Sequence, residues 1–403
     1  MKLKTKHVLI ALALTIFSIG ASAAEPPEKE WTFLLFLNGH NNLSTYGTRN
    51  LKDMEKSGST DKLNIVVEWG SEETNITKRM LVKRSTNPEA VTSPVVMSLP
   101  DHDMGDYKNL VEFVKWGVKN YPAKHYFVAV WNHGSGWHFQ DMSLQSLNRN
   151  TTDFQMNDIS FDDSSGNHIT TEQLGLAMGE IKSYLGRNID IYGSDACLMQ
   201  MVEVAGEMKD SVNYFVGSED TEPGEGWPYE SFFKIWATNP TMTPAQVSTV
   251  LSREYVHAYN GGVYDRQEVT FSALDLSKFD ALLASTKNLV THITSLGKDS
   301  LNKIRLAIGS VQGFYFADSK DYGDLVKVIG ALPIQKNKKM FSQVSADIKS
   351  LVIAKYATTA YSKARGVAIW MPGYNSSYME RYKGLNFDKS TGWSSLISSV
   401  VTE

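Results

Sequence analysis

The stretch Tyr126-Phe127-Val128-Ala129-Val130-Trp131, running straight into Asn132-His133-Gly134-Ser135-Gly136-Trp137, decides how this chain folds. An unbroken apolar run without polar alternation reads as a strand buried on both faces, the habit of parallel sheets covered by helices. The polar, glycine-containing loop that follows lies at the carboxyl edge of such a sheet, where open α/β folds bind ligands. Working outward, residues 31–38 (WTFLLFLN) and 63–69 (LNIVVEW) repeat the apolar pattern. Residues 189–192 (IDIY) repeat it again, just before Gly193-Ser194-Asp195-Ala196-Cys197.

Helical spacing fills the gaps between these strands. Residues 43–56 read as a helix, as do 106–120, with Leu110, Phe113, Val114 and Val118 on one face and Pro122 as the stop. Thr170 and Gln173 have capping-box spacing at the start of another helix. Residues 198–208 read as a helix and 214–217 as a strand; 80–83 and 95–99 read as a hairpin at the sheet edge. The alternation predicts an α/β fold, a mainly parallel sheet sandwiched by helices. After Pro240 the chain becomes more helical, with amphipathic stretches near 243–259, 278–295 and 340–361. Two late apolar runs, 269–276 and 366–371, either join the sheet or form a second small one. This divides the chain into a domain over 24–240 and a mostly helical accessory region over 241–403.

Composition narrows the class. The chain has 403 residues, 42% hydrophobic and 21% charged, ordinary for a globular protein and long enough for more than one core. A net charge of -4 leaves no electrostatic footprint for nucleic acid. Residues 1–23 read as an export signal: Lys2, Lys4 and Lys6, an apolar run from Val8 to Ile19, and Ala21-Ser22-Ala23 as the cleavage site. No later stretch is long and apolar enough for a membrane anchor. The expected location is therefore secreted or periplasmic.

Cys197 is the one cysteine, so it has no internal disulfide partner. A free cysteine is ordinarily a small buried apolar residue. Its setting argues otherwise. If the strands ending at Trp131 and Tyr192 are neighbours, His133 and Cys197 share one edge of the sheet. An imidazole that takes the thiol proton is what cysteine nucleophilic catalysis requires. Gly134 and Gly193 would let backbone approach a substrate. The amides of Gly134 and Cys197 are candidate donors to a developing oxyanion. His40, His102, His125, His138 and His168 are competing candidates for the base.

NHGSGW at 132–137 and SDACLM at 194–199 resemble the two catalytic motifs of the clostripain family of cysteine peptidases, which shares the caspase-like fold. Residues 31–43, 161–174 and 217–229 extend the likeness; beyond about 240 no motif of that sharpness occurs. The sequence departs from the family at His40, where an acid is usual, and at Pro228, where an aspartate is familiar. The resemblance implies a Cys197–His133 dyad without a third member and hydrolysis of peptide or protein substrates after Arg or Lys. It makes Asp195 the acid of the primary specificity pocket, with Glu225 as a second candidate. A carboxylate in a partly dry pocket suits a guanidinium or ammonium. The plainer reading of Asp195 is a loop acid or helix cap.

The resemblance also suggests self-cleavage between the dyad residues. The stretch 138–168 is long and polar, and Arg149 is its one basic residue. No cofactor is required by the residues. Asp162, Asp163, Ser165 and Asn167 fail the EF-hand spacing and read as a polar turn, while the resemblance leaves calcium open. Zinc spacing and phosphate or dinucleotide fingerprints are absent, so no metal ligand is assigned. Two other classes fit the same residues: a non-catalytic binding module that keeps the fold, and an amidase or transpeptidase using the same dyad.

Overall fold

The computed structural model describes residues 26–74, 76–138, 158–334, 337–374 and 376–401. In chain order the first half is β1 (Lys29–Gly39), α1 (Ser44–Ser57), β2 (Leu63–Ser71), β3 (Ile76–Leu81), β4 (Val95–Pro100), α2 (Tyr107–Asn120) and β5 (Ala123–Trp131). Next come β6 (Ile159–Asp162), β7 (Asn167–Ile169), α3 (Thr171–Leu185), β8 (Ile189–Asp195), α4 (Val202–Met208), β9 (Val212–Gly217) and α5 (Tyr229–Thr238). The remainder is α6 (Pro244–Tyr259), β10 (Thr270–Asp275), α7 (Phe279–Thr294), α8 (Lys298–Ile308), β11 (Ser319–Asp321), α9 (Tyr322–Ala331), α10 (Lys338–Leu351), β12 (Val352–Ala357), β13 (Ala368–Trp370), α11 (Met379–Tyr382), α12 (Asn386–Thr391) and α13 (Trp393–Val400).

Among the described residues nine strands form one sheet in the order β12-β10-β9-β8-β5-β1-β2-β3-β4. The five central strands, β9 to β2, are parallel, and antiparallel pairs extend both edges. Side chains alternate between the two faces of β1, and both faces are covered. Leu34 and Phe36 pack with α2 residues Leu110 and Phe113 on one side. Phe33 and Leu35 pack with α5 residues Phe233 and Trp236 on the other. That double burial is why the strand carries no polar alternation. The strand order reverses at β1, which has β2 on one side and β5 on the other. A crevice opens at such a switch point beyond the carboxyl ends of the strands.

Three expectations need correction. The helix predicted over 198–208 starts only at Val202. Leu198 is left-handed at φ 65°, its amide donates to the Asp220 carbonyl, and Gln200 bonds Ser218 and Ala368. The left-handed turn at Leu198 and the Gln200 carbonyl, which accepts from the Ala368 amide rather than from a later turn, keep the helix from starting earlier. The helix predicted over 340–361 ends at Leu351, and the β-branched Val352-Ile353 open β12, which pairs with β10. The polar stretch 138–168 is not all loop: its last part is the β6–β7 hairpin, tied back through Ser135 and Asp158. The capping box at Thr170 and Gln173 is present. Residues 1–23 and Arg149 lie outside the described residues. Among the described residues no helix is long and apolar enough to cross a membrane.

Candidate active site

β5 and β8 are parallel neighbours, with Trp131 opposite Asp195 and the Asn132 amide donating to the Asp195 carbonyl at 3.2 Å. His133 and Cys197 each lie two residues beyond that matched pair. They leave the same sheet edge side by side and line one cavity of about 540 Å³. Gly134 closes the gap between the loops: a Cβ there would stand 2.5 Å from the Cys197 carbonyl oxygen. Any larger residue would push the histidine loop off the cysteine loop. The amides of Ser135 and Leu198 are bonded to Asp158 and Asp220. Gly134 bridges Ile159 there, but among the described residues neither its amide nor that of Cys197 donates to another backbone carbonyl.

The Cys197 sulfur is held by one neighbouring peptide. The thiol donates to the Glu222 carbonyl at 3.7 Å, and the Glu222 amide donates to the sulfur at 3.2 Å. Burial pushes the thiol up to about 11, outweighing the Glu222 amide. Burial also lowers His133, so the resting pair is a neutral thiol and a neutral imidazole. The imidazole Nε2 lies 2.7 Å from Asn42 Oδ1, in the loop after β1.

The five competing histidines are engaged elsewhere. His40 binds Asp162 at 2.9 Å, His102 binds Glu68 at 3.1 Å, His125 binds Asp190 at 2.9 Å and His138 binds Asp318 at 3.0 Å. His168 stacks on Phe161. Asp162 also accepts from Met104 and from Ser164 and Ser165. Burial works against its charge, but the bonds from His40, Ser164 and Met104 outweigh it and hold the carboxyl at about 2. It is therefore a turn-forming carboxylate with its oxygens in use. Among the described residues no three His, Cys, Asp or Glu side chains gather as metal ligands.

The cavity floor is acidic. Asp195 accepts from the Tyr229 hydroxyl at 2.6 Å and the Trp227 amide at 3.4 Å. Burial raises it to about 7, and those donors recover only part of that cost. The left-handed Gly226 passes so close that a Cβ would sit 3.0 Å from an Asp195 oxygen. The second acid lining the cavity is Glu222, not Glu225. Glu225 faces outward to Arg49 at 3.7 Å, and its carbonyl is bound by Asn50. Neither buried Glu222 carboxyl oxygen accepts from a donor among the described residues, and the Glu222 carboxyl is itself hydrogen-bonded to Asp195. Burial, then the charge of Asp195, raise the Glu222 carboxyl well above the usual range.

Gly193 also departs from expectation. Its missing side chain faces Trp227, Val216 and Phe127, so it makes room in the core rather than for a substrate. Leu43, Tyr315 and Phe316 form apolar cavity walls. The sequence reading missed Asn42 and Glu222. Neither stands beside the cysteine or the histidine in the chain; only the acidic character of residues 219–225 pointed toward the second.

The model of the clostripain family matches residues 35–399. Clostripain of Hathewaya histolytica is 29% identical over 234 residues, which cover 50% of this chain and 41% of that protein. The match thus spans well under two thirds of the relative's length. A secreted C11 cysteine protease from Bacteroides thetaiotaomicron, solved with an irreversible peptide inhibitor, is similar at TM-score 0.68 and 20% identity, covering 91% of this chain and 99% of that one. An inactive zymogen C11 protease from Parabacteroides distasonis is similar at TM-score 0.66 and 18% identity, with 91% and 99% covered. At those identities the likeness is one of fold.

Proposed function

The chain belongs to the clostripain family, and from that premise we propose that it is an exported cysteine endopeptidase cutting after Arg or Lys. One observation carries the reading: His133 and Cys197 end adjacent parallel strands over a cavity floored by two buried acids, Asp195 and Glu222. The Cys197 thiol gives its proton to His133 as the sulfur attacks the scissile carbonyl carbon. The amides of Gly134 and Cys197 receive the oxyanion. The imidazolium returns the proton to the departing amine, and water then hydrolyses the thioester. A buried carboxyl pair without enough donors is costly until a cation arrives, and a guanidinium brings both charge and N–H groups.

The test is a fluorogenic peptide panel differing only at the residue before the cut. Cys197→Ala and His133→Ala are expected to lose at least about a thousandfold in kcat/KM. Asp195→Ala and Glu222→Gln should lose Arg and Lys peptides selectively, while Glu225→Gln stays near wild type. Full activity in Cys197→Ala, or a preference for acidic or apolar residues, would sink this reading. Self-cleavage after Arg149 belongs to the same proposal. Wild-type protein is then expected to run as two bands on a denaturing gel, with Cys197→Ala remaining whole and Arg149→Ala remaining whole or cut elsewhere more slowly.

A further inference from the structure

We infer that Asn42 is a positioning residue for His133, fixing which imidazole nitrogen acts as the base; this rests on the proposed role of His133. The Asn42 Oδ1 atom lies 2.7 Å from Nε2. An amide oxygen only accepts, so the N–H of the neutral imidazole is on Nε2 and the lone pair is on Nδ1. Nδ1 is the atom that takes the thiol proton. When it does, Nε2–H stays on Asn42, and the amide dipole faces the new positive charge. When the amine leaves, the Nδ1 proton departs with it and the same tautomer is restored. No proton crosses to Asn42 at any stage.

The position of Asn42 is built in rather than incidental. The loop after β1 and the loop after β5 are both pinned to the Phe161 peptide. Asn41 Nδ2 and Asn38 Nδ2 each donate to the Phe161 carbonyl at 2.8 Å. Asn132 accepts from the Phe161 amide at 2.7 Å and donates to the Asn38 carbonyl at 2.7 Å. Three buried asparagines therefore set the distance between Asn42 and His133. Buried polar side chains of this kind hold geometry because each bond lost would leave an unpaired group. The Leu43 amide donates back to Asn41 at 2.9 Å, which closes the turn that carries Asn42. Asn42 itself is exposed, and its bond to His133 is its one side-chain hydrogen bond among the described residues. A substitution there spares the packed core.

The experiment pairs kinetics with the nitrogen spectrum of His133 in protein carrying ¹⁵N-histidine, assigned with His133→Gln. Wild type should show the Nε2–H tautomer, and Asn42→Ala a mixture of both. Asn42→Ala should lower kcat by about tenfold to a hundredfold, the range for outer partners that orient a functional histidine, with little change in KM. Asn42→Asp keeps an acceptor and adds a negative charge, so it should recover much of kcat and move the acid limb of the pH profile upward. An Nδ1–H tautomer in wild type would overturn the inference. So would wild-type kcat and an unmoved acid limb in both variants, provided that His133→Ala is inactive. Activity surviving in His133→Ala would instead remove the dyad itself, and the inference with it.

Discussion

At the scale of single residues, burial sets the chemistry of the site. The same desolvation that raises Cys197 to about 11 lowers His133, so no thiolate–imidazolium pair is stored in the resting protein. Proton transfer must accompany attack on the substrate. Alkylation of Cys197 by iodoacetamide should therefore rise steadily between about pH 6 and 9 without a plateau, since only thiolate reacts. A plateau below neutral pH would show a stored ion pair. Asp195 is shifted in the same sense as Cys197. Burial raises its carboxyl above the usual carboxylate range, and it titrates together with the Glu222 carboxyl to which it is hydrogen-bonded, so the pair gains charge as pH rises. KM for Arg peptides should fall as pH rises from about 6 to 8, the window in which that pair gains its charge. A KM for Arg peptides that is flat across this window would argue against Asp195 as the group that meets the substrate cation.

At the scale of elements, β8 joins the core to the acidic cavity that we propose as the specificity pocket. Gly193 leaves space for the Trp227 ring, and the Trp227 amide donates to Asp195. A methyl group at Gly193 would meet that ring at 2.7 Å and Val216 at 2.8 Å. Gly193→Ala should cost about 1–3 kcal/mol in denaturant unfolding, the usual range for overpacking. It should also raise KM for Arg peptides, because the displaced tryptophan carries an Asp195 donor. An unchanged midpoint would mean that the core accommodates the methyl group. The strand itself was legible, since IDIY is apolar on both faces. The role of its glycine was not, because Trp227 reaches it from a loop 34 residues further along the chain.

At the scale of the whole molecule, the last third of the chain clamps the region that holds the histidine loop. Arg381 of α11 bonds Glu172 of α3 at 2.6 and 3.0 Å, and it pairs with Asp158, where the β6 hairpin begins. Glu203 of α4 accepts from the Trp370 amide and the Tyr382 hydroxyl, both at 2.9 Å. Asp158 is fully buried and is raised to about 7 by burial even beside Arg381. Arg381→Met should therefore lower stability by roughly 2–4 kcal/mol, the loss when one partner of a buried pair is removed, less what protonation of Asp158 recovers. Thermal unfolding at neutral pH reads it directly. A melting temperature equal to that of wild type would show that the ion pairs contribute nothing net. The loss should shrink as pH falls through about 7, where Asp158 of the wild type takes up its own proton, and level off below about pH 6.

The sequence alone determined the parallel strands, the order of the two motif loops and the candidacy of His133 and Cys197, while Asp195 entered through the family resemblance. These are local signals: apolar runs, glycine turns and reactive side chains at strand ends. It could not determine that residues 198–201 stay out of the helix, because their partners, Ser218, Asp220 and Ala368, come from two other parts of the chain. Nor could it choose Glu222 over Glu225. Both are acidic and lie three residues apart, and only the course of the loop turns one inward under Cys197 and the other outward to Arg49. Asn42 carried no signal at all. Its proposed role depends on the loops after β1 and β5 being fastened to one peptide at Phe161, 120 and 29 residues away along the chain, which happens only when the sheet has assembled.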